Sequence, residues 1–357
     1  MNPPSLNLLF PIPSRMELYL DSAQLDDVQA ASELFPLAGI TTTPTFLHRQ
    51  GVTDVDQALV DLSEPVHTIQ VEALGETAET IIEEAHRLSH LPFRAKVVYK
   101  VPVSNQGLKA CWKLSGMGYD VNLHLVYTLN QAFMAMNAGA AYVCPLVGRL
   151  QDQGHDAMTL ISQCQELKQR YGFQTKIMVS SVRHPEHVRQ ALVRGADSIT
   201  VPYSVLKSLS LNSLTDVGAR QFEVHTRLMT LKVQDIIRPV NPTCQLTDTV
   251  QDALVAMTDS RLGAVSVLDA SGQLAGCFTD GDLRRLLNQD GKAALDSRMV
   301  DLELKSPLTV EAEAPLVEVE PLFRTHQVDN YIVVNSQGAP IGILDIQDFV
   351  KQGLLAE

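Results

Sequence analysis

One lysine lies where an amine nucleophile would be expected. Lys100 stands inside the apolar run VVYKVPV, where a buried ammonium would lose its hydration and its pKa would fall. A neutral lysine attacks carbonyl carbons and forms imines, although a lysine near a strand end can also extend its ammonium into water. Lys96, near the other end of the same predicted strand, fits only this second interpretation.

Polar residues in the two neighbouring apolar runs are spaced for one face of a strand. Gln70 and Glu72 are two positions apart in the run before Lys100, and Asn122 and His124 are two positions apart in the run after it. Because side chains alternate across a strand, each pair shares a face. Such groups beside a lysine amine could move protons or contact substrate hydroxyls.

These residues belong to a region of eight apolar runs separated by amphipathic stretches that suit helices. Eight strands, each followed by a helix, predict an α/β fold of the (βα)8 barrel type, with a doubly wound open sheet as the alternative. The alternative is weakened because no Gly-rich dinucleotide motif follows any run. The runs are ELYL (17–20), LAGIT (37–41), HTIQV (67–71), KVVYKV (96–101), VNLHLV (121–126), AYVCPL (141–146), KIMVS (176–180) and SITV (198–201).

In a barrel of this kind the carboxyl ends of the strands meet at one face, and the chemistry gathers there. Polar residues at the predicted strand ends are therefore the candidates for a site. They are Asp21, Thr41, Thr43, Gln70, Glu72, Lys100, Asn122, His124, Arg149, Ser181 and Arg183.

Composition limits the class of protein. The length of 357 residues predicts two domains, and 45% apolar with 19% charged residues is typical of a globular enzyme. A formal net charge of −13 argues against a nucleic-acid-binding protein, which needs a basic face. Five cysteines without a CxxC pair favour the cytoplasm, and no apolar run reaches the ~18 residues of a membrane span. The sequence contains no strong His/Cys ligand cluster, so no metal site is predicted.

Three segments are expected along the chain. Residues 1–15, MNPPSLNLLFPIPSR, contain four prolines and lack the basic start and cleavage site of a signal peptide, so we predict a flexible leader. We expect the barrel to span residues 16–230, with a closing helix at 214–230. A second domain is expected at residues 231–357, where the sequence pattern changes.

Five motifs resemble those of the transaldolase family, and especially its fructose-6-phosphate aldolase branch. They occur in the family's order, and the likeness covers about residues 16–230. The motifs are MELYLDS (16–22), FPLAGITTTP (35–44), KVPVSNQGLKA (100–110), AGAAYVCPLVGRLQDQG (138–154) and MVSSVRHPEHV (178–188).

The resemblance implies a Schiff-base aldolase or transaldolase that makes or breaks a carbon–carbon bond in phosphorylated sugars. Lys100 is implied as the imine-forming lysine, and Asp21 as the group that moves a proton on a substrate hydroxyl. Arg149, Ser181 and Arg183 are implied to hold the substrate phosphate by charge-assisted hydrogen bonds. No metal or separate cofactor is implied, because the protonated imine serves as the electron sink.

Four positions depart from the family pattern. Thr43 stands where the second-strand motif has asparagine, and Leu146 stands where the aldolase branch has a tyrosine acid. His124 replaces a threonine that helps to place the catalytic water, and Gln70 stands where transaldolases proper carry a glutamate. The residues still expected to contact the substrate are Thr41, Thr43 and Asn122.

The usual proton-transfer group is therefore missing, and His124 and Glu72 are the two candidates to replace it. His124 could equally be a neutral, hydrogen-bonded core residue. We interpret Glu72 as a charge at the rim of the barrel rather than as a catalyst. The departures also leave open a second hypothesis, namely a catalytically silent sensor of sugar phosphates or nucleotides, or an assembly protein.

An internal repeat with an offset of 66 residues fills the second domain. VSVLDASGQLAGCFTDGDL (265–283) matches YIVVNSQGAPIGILDIQDF (331–349), and each copy predicts strand, hairpin turn, strand and helix. The repeat resembles a tandem pair of CBS modules, which bind adenosine nucleotides or other effectors. Thr279 and Asp282 match the nucleotide-binding motif, whereas the second copy keeps Asp348 but has Asp345 in place of the threonine. We expect one competent site, with a pair used only for dimerisation as the alternative.

FTDGDLRR (278–285) is similar to the CBS modules of arabinose-5-phosphate isomerases, a likeness confined to this domain. The combination suggests that the barrel joins glycolaldehyde to glyceraldehyde 3-phosphate and so produces arabinose 5-phosphate. The CBS pair would then sense a nucleotide or a nucleotide sugar. Since both families usually form oligomers, we expect a homo-oligomer.

Overall fold

The computed structural model describes residues 16–355, so the predicted leader at residues 1–15 lies outside the described residues. The chain forms two compact units that divide between Leu211 and Asn212. The predicted boundary after residue 230 differs from this division by one helix, which groups with the second unit. No helix in residues 16–355 combines the length and the apolar character needed to cross a membrane.

The first unit is a closed barrel of eight parallel strands. Each strand pairs with the next in sequence, and the first strand pairs with the eighth. The predicted (βα)8 barrel is thereby confirmed, and the open sheet is excluded. The strands are β1 Glu17–Asp21, β2 Gly39–Thr41, β3 Thr68–Glu72, β4 Lys96–Pro102, β5 Val121–Val126, β6 Tyr142–Pro145, β7 Lys176–Val179 and β8 Ser198–Val201.

Helices cover the outside of the barrel and start just after the strands. Ser104 Oγ accepts a hydrogen bond from the Gly107 amide at 3.0 Å and begins the helix after β4, and Thr128 forms a capping box with Gln131 after β5. These caps fix how the chain leaves the carboxyl face. The helices are α1 Leu25–Leu34, α2 Pro44–Arg49, α3 Val55–Ser63, α4 Ala78–Ser89, α5 Asn105–Gly116, α6 Leu129–Asn137, α7 Val147–Asp152, α8 Ala157–Tyr171, α9 Pro185–Val193 and α10 Tyr203–Leu206.

Gly107 is required where α5 approaches β4. A Cβ built at this position would lie 2.1 Å from the carbonyl oxygen of Pro102, which is a backbone atom close to Lys100. We expect Gly107→Ala to lower the free energy of unfolding by about 1–3 kcal/mol, because the helix must move away from the strand. Gly116→Ala, in the same helix with no atom within 4 Å of the new Cβ, should be neutral or slightly stabilising. Urea unfolding measures both, and equal losses would contradict this explanation.

The amino-terminal end of the barrel is closed by a group of polar side chains, which we call the barrel floor: Glu17, Tyr19, Tyr142 and Lys176. The two tyrosine hydroxyls are 3.0 Å apart, Tyr142 donates to Glu17 Oε2 at 3.0 Å, and Lys176 pairs with the same carboxylate. Tyr19 and Tyr142 are only 1% and 6% exposed. Burial raises the pKa of Tyr19 to about 12, so its hydroxyl stays protonated.

The second unit contains two three-stranded sheets that repeat one another. In each sheet an antiparallel hairpin pairs with a short parallel strand. Its elements are α11 Ser213–Thr230, α12 Val233–Ile236, β9 Thr243–Gln245, α13 Val250–Ser260, β10 Ala264–Leu268, β11 Leu274–Thr279, α14 Asp280–Asp290, 3-10 turns at Gly291–Asp296 and Met299–Asp301, β12 Thr309–Glu311, α15 Leu316–His326, β13 Asn330–Val334, β14 Pro340–Asp345 and α16 Ile346–Lys351.

The duplication extends to single backbone angles in this unit. Arg261 and Gln327, which differ by the repeat offset of 66 residues (327 − 261), both adopt the left-handed conformation directly after α13 and α15. Helix α11 joins this unit because Leu228 is buried in the same apolar core as Val233 and Phe323. The predicted helix at 214–230 is therefore present, but it packs on the repeat.

Candidate active site

A cavity of about 720 Å³ opens at the carboxyl face of the barrel, a size suited to a small metabolite. Gln70 and Asn122 do not line it, because both are fully buried below it. The other predicted barrel residues all line it: Asp21, Thr41, Thr43, Glu72, Lys100, His124, Arg149, Ser181 and Arg183.

Lys100 lies at the end of β4 with its amino group held on two sides. Its Nζ lies 2.9 Å from Glu72 Oε1 and donates to the carbonyl oxygen of Thr42 at 3.0 Å. The strand register explains the first contact, since Glu72 on β3 is directly opposite Lys100 and Asn122 on β5 is opposite its other side. The lysine side chain is only 6% exposed, so the amine lies within the cavity wall rather than in bulk water.

Glu72 is a buried bridge and not a charge at the rim, so our interpretation of it was wrong. Its side chain is 6% exposed; Oε1 contacts Lys100, and Oε2 lies 2.9 Å from His124 Nε2. That second contact is not aligned as a hydrogen bond, which leaves both atoms without an aligned partner in the described chain. The sequence did not predict this bridge. Glu72 comes two residues after Gln70, the third-strand position where transaldolases proper carry a glutamate, and only the strand register shows that Glu72 lies opposite Lys100.

Burial and charge act in opposite directions on this group. Burial alone would raise the pKa of Glu72, but the charge of Lys100 and the contact with His124 together bring it below its ordinary value. Burial lowers the pKa of His124, and the charges of Lys100 and Arg149 add to that effect, although Glu72 opposes it. At neutral pH the site therefore contains a carboxylate and a neutral imidazole.

Asp21, at the end of β1, is hydrogen-bonded within the cavity. Thr41 Oγ1 donates to Asp21 Oδ1 at 2.8 Å and also contacts the hydroxyl of Thr200 on β8. Burial raises the pKa of Asp21 above its ordinary value, although the charge of Lys100 and the bond from Thr41 oppose this. A carboxyl group with a raised pKa can exchange a proton with a bound hydroxyl near neutral pH.

Gln70 and Asn122 form a polar layer beneath Lys100. Asn122 Nδ2 donates to Gln70 Oε1 at 2.6 Å and also lies 3.4 Å from Met178 Sδ. Gln70 Nε2 and Asn122 Oδ1 are buried without a hydrogen-bond partner in residues 16–355. The two side chains therefore position each other beneath the cavity.

Two arginines, Arg149 and Arg183, line the same cavity and come from chain segments that interlock. The Gly148 amide donates to the carbonyl oxygen of Ser181 at 3.1 Å, and a Cβ at Gly148 would lie 2.1 Å from that oxygen. Ser181 has a φ of 58°, in the left-handed region that serine seldom adopts. Arg149 Nη1 lies 3.5 Å from Tyr127 Oη, and Arg183 pairs with Asp152.

Thr43 has a local structural role besides lining the cavity. Its Oγ1 accepts a hydrogen bond from the Phe46 amide at 3.4 Å and begins α2, with Pro44 at the first helical position. Several lining residues were not predicted, and only Thr200 gave a signal, since it alternates with Ser198 in the last strand. The missed lining residues include Arg49, Cys144 and Thr200.

The predicted nucleotide residues of the second unit occupy equivalent places in the two copies. Thr279 begins α14 in a capping box with Asp282, whose carboxylate also pairs with Arg285 and with Lys305 at 3.4 Å. In the second copy Asp345 begins α16 in the same way, and Asp348 is 2% exposed.

Asp348 is bound from within the chain, because Arg238 Nε lies 3.0 Å from its Oδ1. The same guanidinium donates to the carbonyl oxygen of Arg261 at 2.8 Å. The copies thus differ most in exposure: the side chain of Asp282 is 20% exposed, and that of Asp348 is 2% exposed.

Within residues 16–355 no group of three or more His, Cys, Asp or Glu side chains is arranged to hold a metal ion. The cysteine in the cavity, Cys144, is fully buried in the barrel, and burial raises the pKa of its thiol to about 11.

Fold and site together define a (βα)8 barrel enzyme with a lysine-centred cavity, followed by a duplicated α+β unit. The family described as Transaldolase/Fructose-6-phosphate aldolase matches residues 18–241, and the CBS domain family matches residues 233–289 and 300–354. The chain therefore belongs to the transaldolase/fructose-6-phosphate aldolase family and carries a tandem CBS pair.

Curated relatives share the barrel. A probable transaldolase of Maridesulfovibrio salexigens is 41% identical over 215 residues, covering 60% of this chain and 100% of the relative. A probable transaldolase of Oceanobacillus iheyensis is 39% identical over 207 residues, covering 58% of this chain and 96% of the relative. Among solved structures, the CBS domain protein PAE2072 from Pyrobaculum aerophilum, complexed with AMP, covers 35% of this chain and 98% of its own at 19% identity and a TM-score of 0.32.

Proposed function

We propose that the barrel is a Schiff-base aldolase or transaldolase of phosphorylated sugars, with Lys100 as the nucleophile. The observation that carries this proposal is the position of Lys100 Nζ, which lies in the wall of a cavity that Arg149 and Arg183 also line. An amine and two guanidinium groups in one cavity suit a substrate with a carbonyl group and a phosphate.

The chemistry follows from the groups around the lysine. Lys100 forms an imine with a ketose or a short carbonyl donor, and the protonated imine accepts the electron pair of the carbon–carbon bond as it breaks. Asp21, oriented by Thr41, takes the proton of the hydroxyl on the departing carbon. Arg149, Ser181 and Arg183 hold the phosphate, while Gln70 and Asn122 lie beneath Lys100 outside the cavity lining.

The narrower parts of the proposal concern substrate and regulation. We favour the joining of glycolaldehyde and glyceraldehyde 3-phosphate to arabinose 5-phosphate, because both are aldehydes and one supplies the phosphate. In the CBS pair, the more exposed site at Thr279 and Asp282 is the better candidate for a nucleotide or nucleotide sugar, since the side chain of Asp282 is 20% exposed and that of Asp348 is 2% exposed. Association of several copies of the chain also belongs to this proposal.

Borohydride trapping tests the imine. The full chain is mixed in turn with dihydroxyacetone, glycolaldehyde, fructose 6-phosphate and arabinose 5-phosphate, then reduced and digested for peptide mass spectrometry. We expect a stable adduct on Lys100, and its mass identifies the carbonyl partner. Lys96→Met serves as the matched control, since Lys96 is an exposed lysine at the other end of the same strand.

The alternative of a silent sensor makes a different prediction for the same experiment. Folded protein that binds arabinose 5-phosphate but gives no adduct with any of the four carbonyl compounds would reject the imine proposal and favour the sensor. An adduct distributed over surface lysines and unchanged in Lys100→Met would also reject it.

A further inference from the structure

The contacts of Glu72 join the nucleophile to a histidine across three successive strands. Glu72 on β3 has one oxygen 2.9 Å from Lys100 Nζ on β4 and the other 2.9 Å from His124 Nε2 on β5. Both carboxylate contacts lie at the cavity, and the side chains of Glu72 and His124 are 6% and 11% exposed. A buried carboxylate between an amine and an imidazole is suited to passing protons.

Other groups in the cavity are less suited to this task. Leu146 lines the wall without a titratable group, and Gln70 is engaged with Asn122 outside the lining. Burial keeps the Cys144 thiol protonated, with a pKa of about 11. Asp21 is hydrogen-bonded to Thr41 on the β1–β2 side of the barrel. Glu72 and His124 therefore remain as the candidates beside Lys100 for proton transfer.

We propose that Glu72 and His124 are the proton-transfer pair for making and hydrolysing the Lys100 imine. This inference rests on the proposed imine chemistry and names the groups that operate it. Glu72 takes protons from Lys100 Nζ, and His124 gives them to the substrate oxygen that departs as water. Because His124 Nε2 lies beside Glu72, we assign Nδ1 to that oxygen.

The protons and charges balance over the step. The Nζ–carbon bond forms and the carbon–oxygen bond breaks, while two of the three protons of the ammonium end on the oxygen that leaves as water. The single positive charge stays on the protonated imine. Each passage leaves the proton of the neutral His124 on Nε2 instead of Nδ1, so the ring exchanges this proton with solvent before the second passage and again after it, and both groups are then restored. Each proton must cross the contact between Glu72 Oε2 and His124 Nε2, which are 2.9 Å apart and not aligned as a hydrogen bond. Catalytic hydrogen bonds of this kind tighten when substrate binds.

The surrounding charges set the pH dependence of the pair. His124 is faced by Glu72 from β3, Lys100 from β4 and Arg149 from α7, with Cys144 on β6 and Asp21 on β1 also at the cavity. Burial and the two cations favour neutral imidazole, whereas Lys100 favours the Glu72 carboxylate. The neutral imidazole and the carboxylate can therefore both accept protons near pH 7.

The rate of adduct formation with dihydroxyacetone, quenched with borohydride at timed intervals from pH 5 to 9, tests the pair. We expect Glu72→Gln and His124→Asn each to slow adduct formation by about 10²-fold or more and to flatten its pH profile. Added imidazole should restore part of the rate in His124→Ala, an effect that a purely structural histidine would not show. Glu64→Gln and His155→Asn, at exposed positions, should behave as wild type.

The outcomes separate this inference from the imine proposal. Wild-type labelling of Lys100 with unchanged rates and pH profiles in either Glu72→Gln or His124→Asn overturns the pair alone. No labelling of the wild-type chain overturns both. Thermal unfolding identifies variants that lose the fold. If Glu72→Gln is one of them, Glu72→Asp replaces it. Because aspartate keeps a carboxylate on a shorter side chain, this variant should form the adduct more slowly than wild type but faster than the misfolded Glu72→Gln.

Discussion

Lys100→Met is expected to lower kcat/KM for cleavage of a ketose phosphate by about 10⁴-fold or more, because no other amine can form the imine at that position. The methionine preserves the apolar stem but leaves Glu72 buried without its cation, which costs stability of about 3–5 kcal/mol. Coupled detection of the aldehyde product measures the rate, and urea unfolding measures the stability.

Lys100→Arg separates these two effects. Arginine keeps a positive charge beside Glu72 but does not form an imine under these conditions, so it should be as inactive as methionine and more stable. Retention of more than a few per cent of wild-type activity in either variant would show that Lys100 is not the nucleophile.

Arg183→Leu and Arg149→Leu are expected to lower kcat/KM for a phosphorylated substrate by about 10- to 100-fold each, chiefly through KM. A charge-assisted hydrogen bond to phosphate contributes about 1.5–3 kcal/mol, which corresponds to that range. The rate of imine formation with dihydroxyacetone, which has no phosphate, should stay within about twofold of wild type. Steady-state kinetics with both compounds measure this selectivity.

Arg189→Leu is the matched control for the arginine variants. Arg189 is exposed on α9 and pairs with Glu186, and it does not line the cavity. An equal loss with dihydroxyacetone in Arg183→Leu would place that arginine in general support of the barrel. A loss in Arg189→Leu of the same size would point to net charge instead of phosphate binding.

Strand periodicity was sufficient to predict the barrel and, with the residues at the strand ends, nine of the residues that line the cavity. Because alternation puts Gln70 and Glu72 on one face, the sequence places both inside the barrel, and the motif around Lys100 identifies its neighbours along the chain. The same rule does not say which residue lies opposite on the next strand. That depends on register, which is why the contact between Glu72 and Lys100 became visible only in three dimensions.

The sequence also did not predict the local structural roles of some residues. Thr43 was expected to contact substrate, and its hydroxyl is used in the cap of α2 as well. The helix predicted at residues 214–230 is present as α11, but its apolar residues gave no indication that Leu228 would pack with Phe323, a residue 95 positions later (323 − 228). Long-range packing of this kind leaves no periodic signal.

The barrel floor restricts how substrates and products reach and leave Lys100. Tyr19 and Tyr142 belong to a packed group that also contains Val98, Cys144 and Met178, so buried side chains fill the space beneath the lysine in the described chain. The mouth at the carboxyl face then serves as both entrance and exit. A departing aldehyde and an incoming acceptor must use this opening one after the other. A first product that is released slowly would therefore block the entry of the acceptor and limit the rate of turnover.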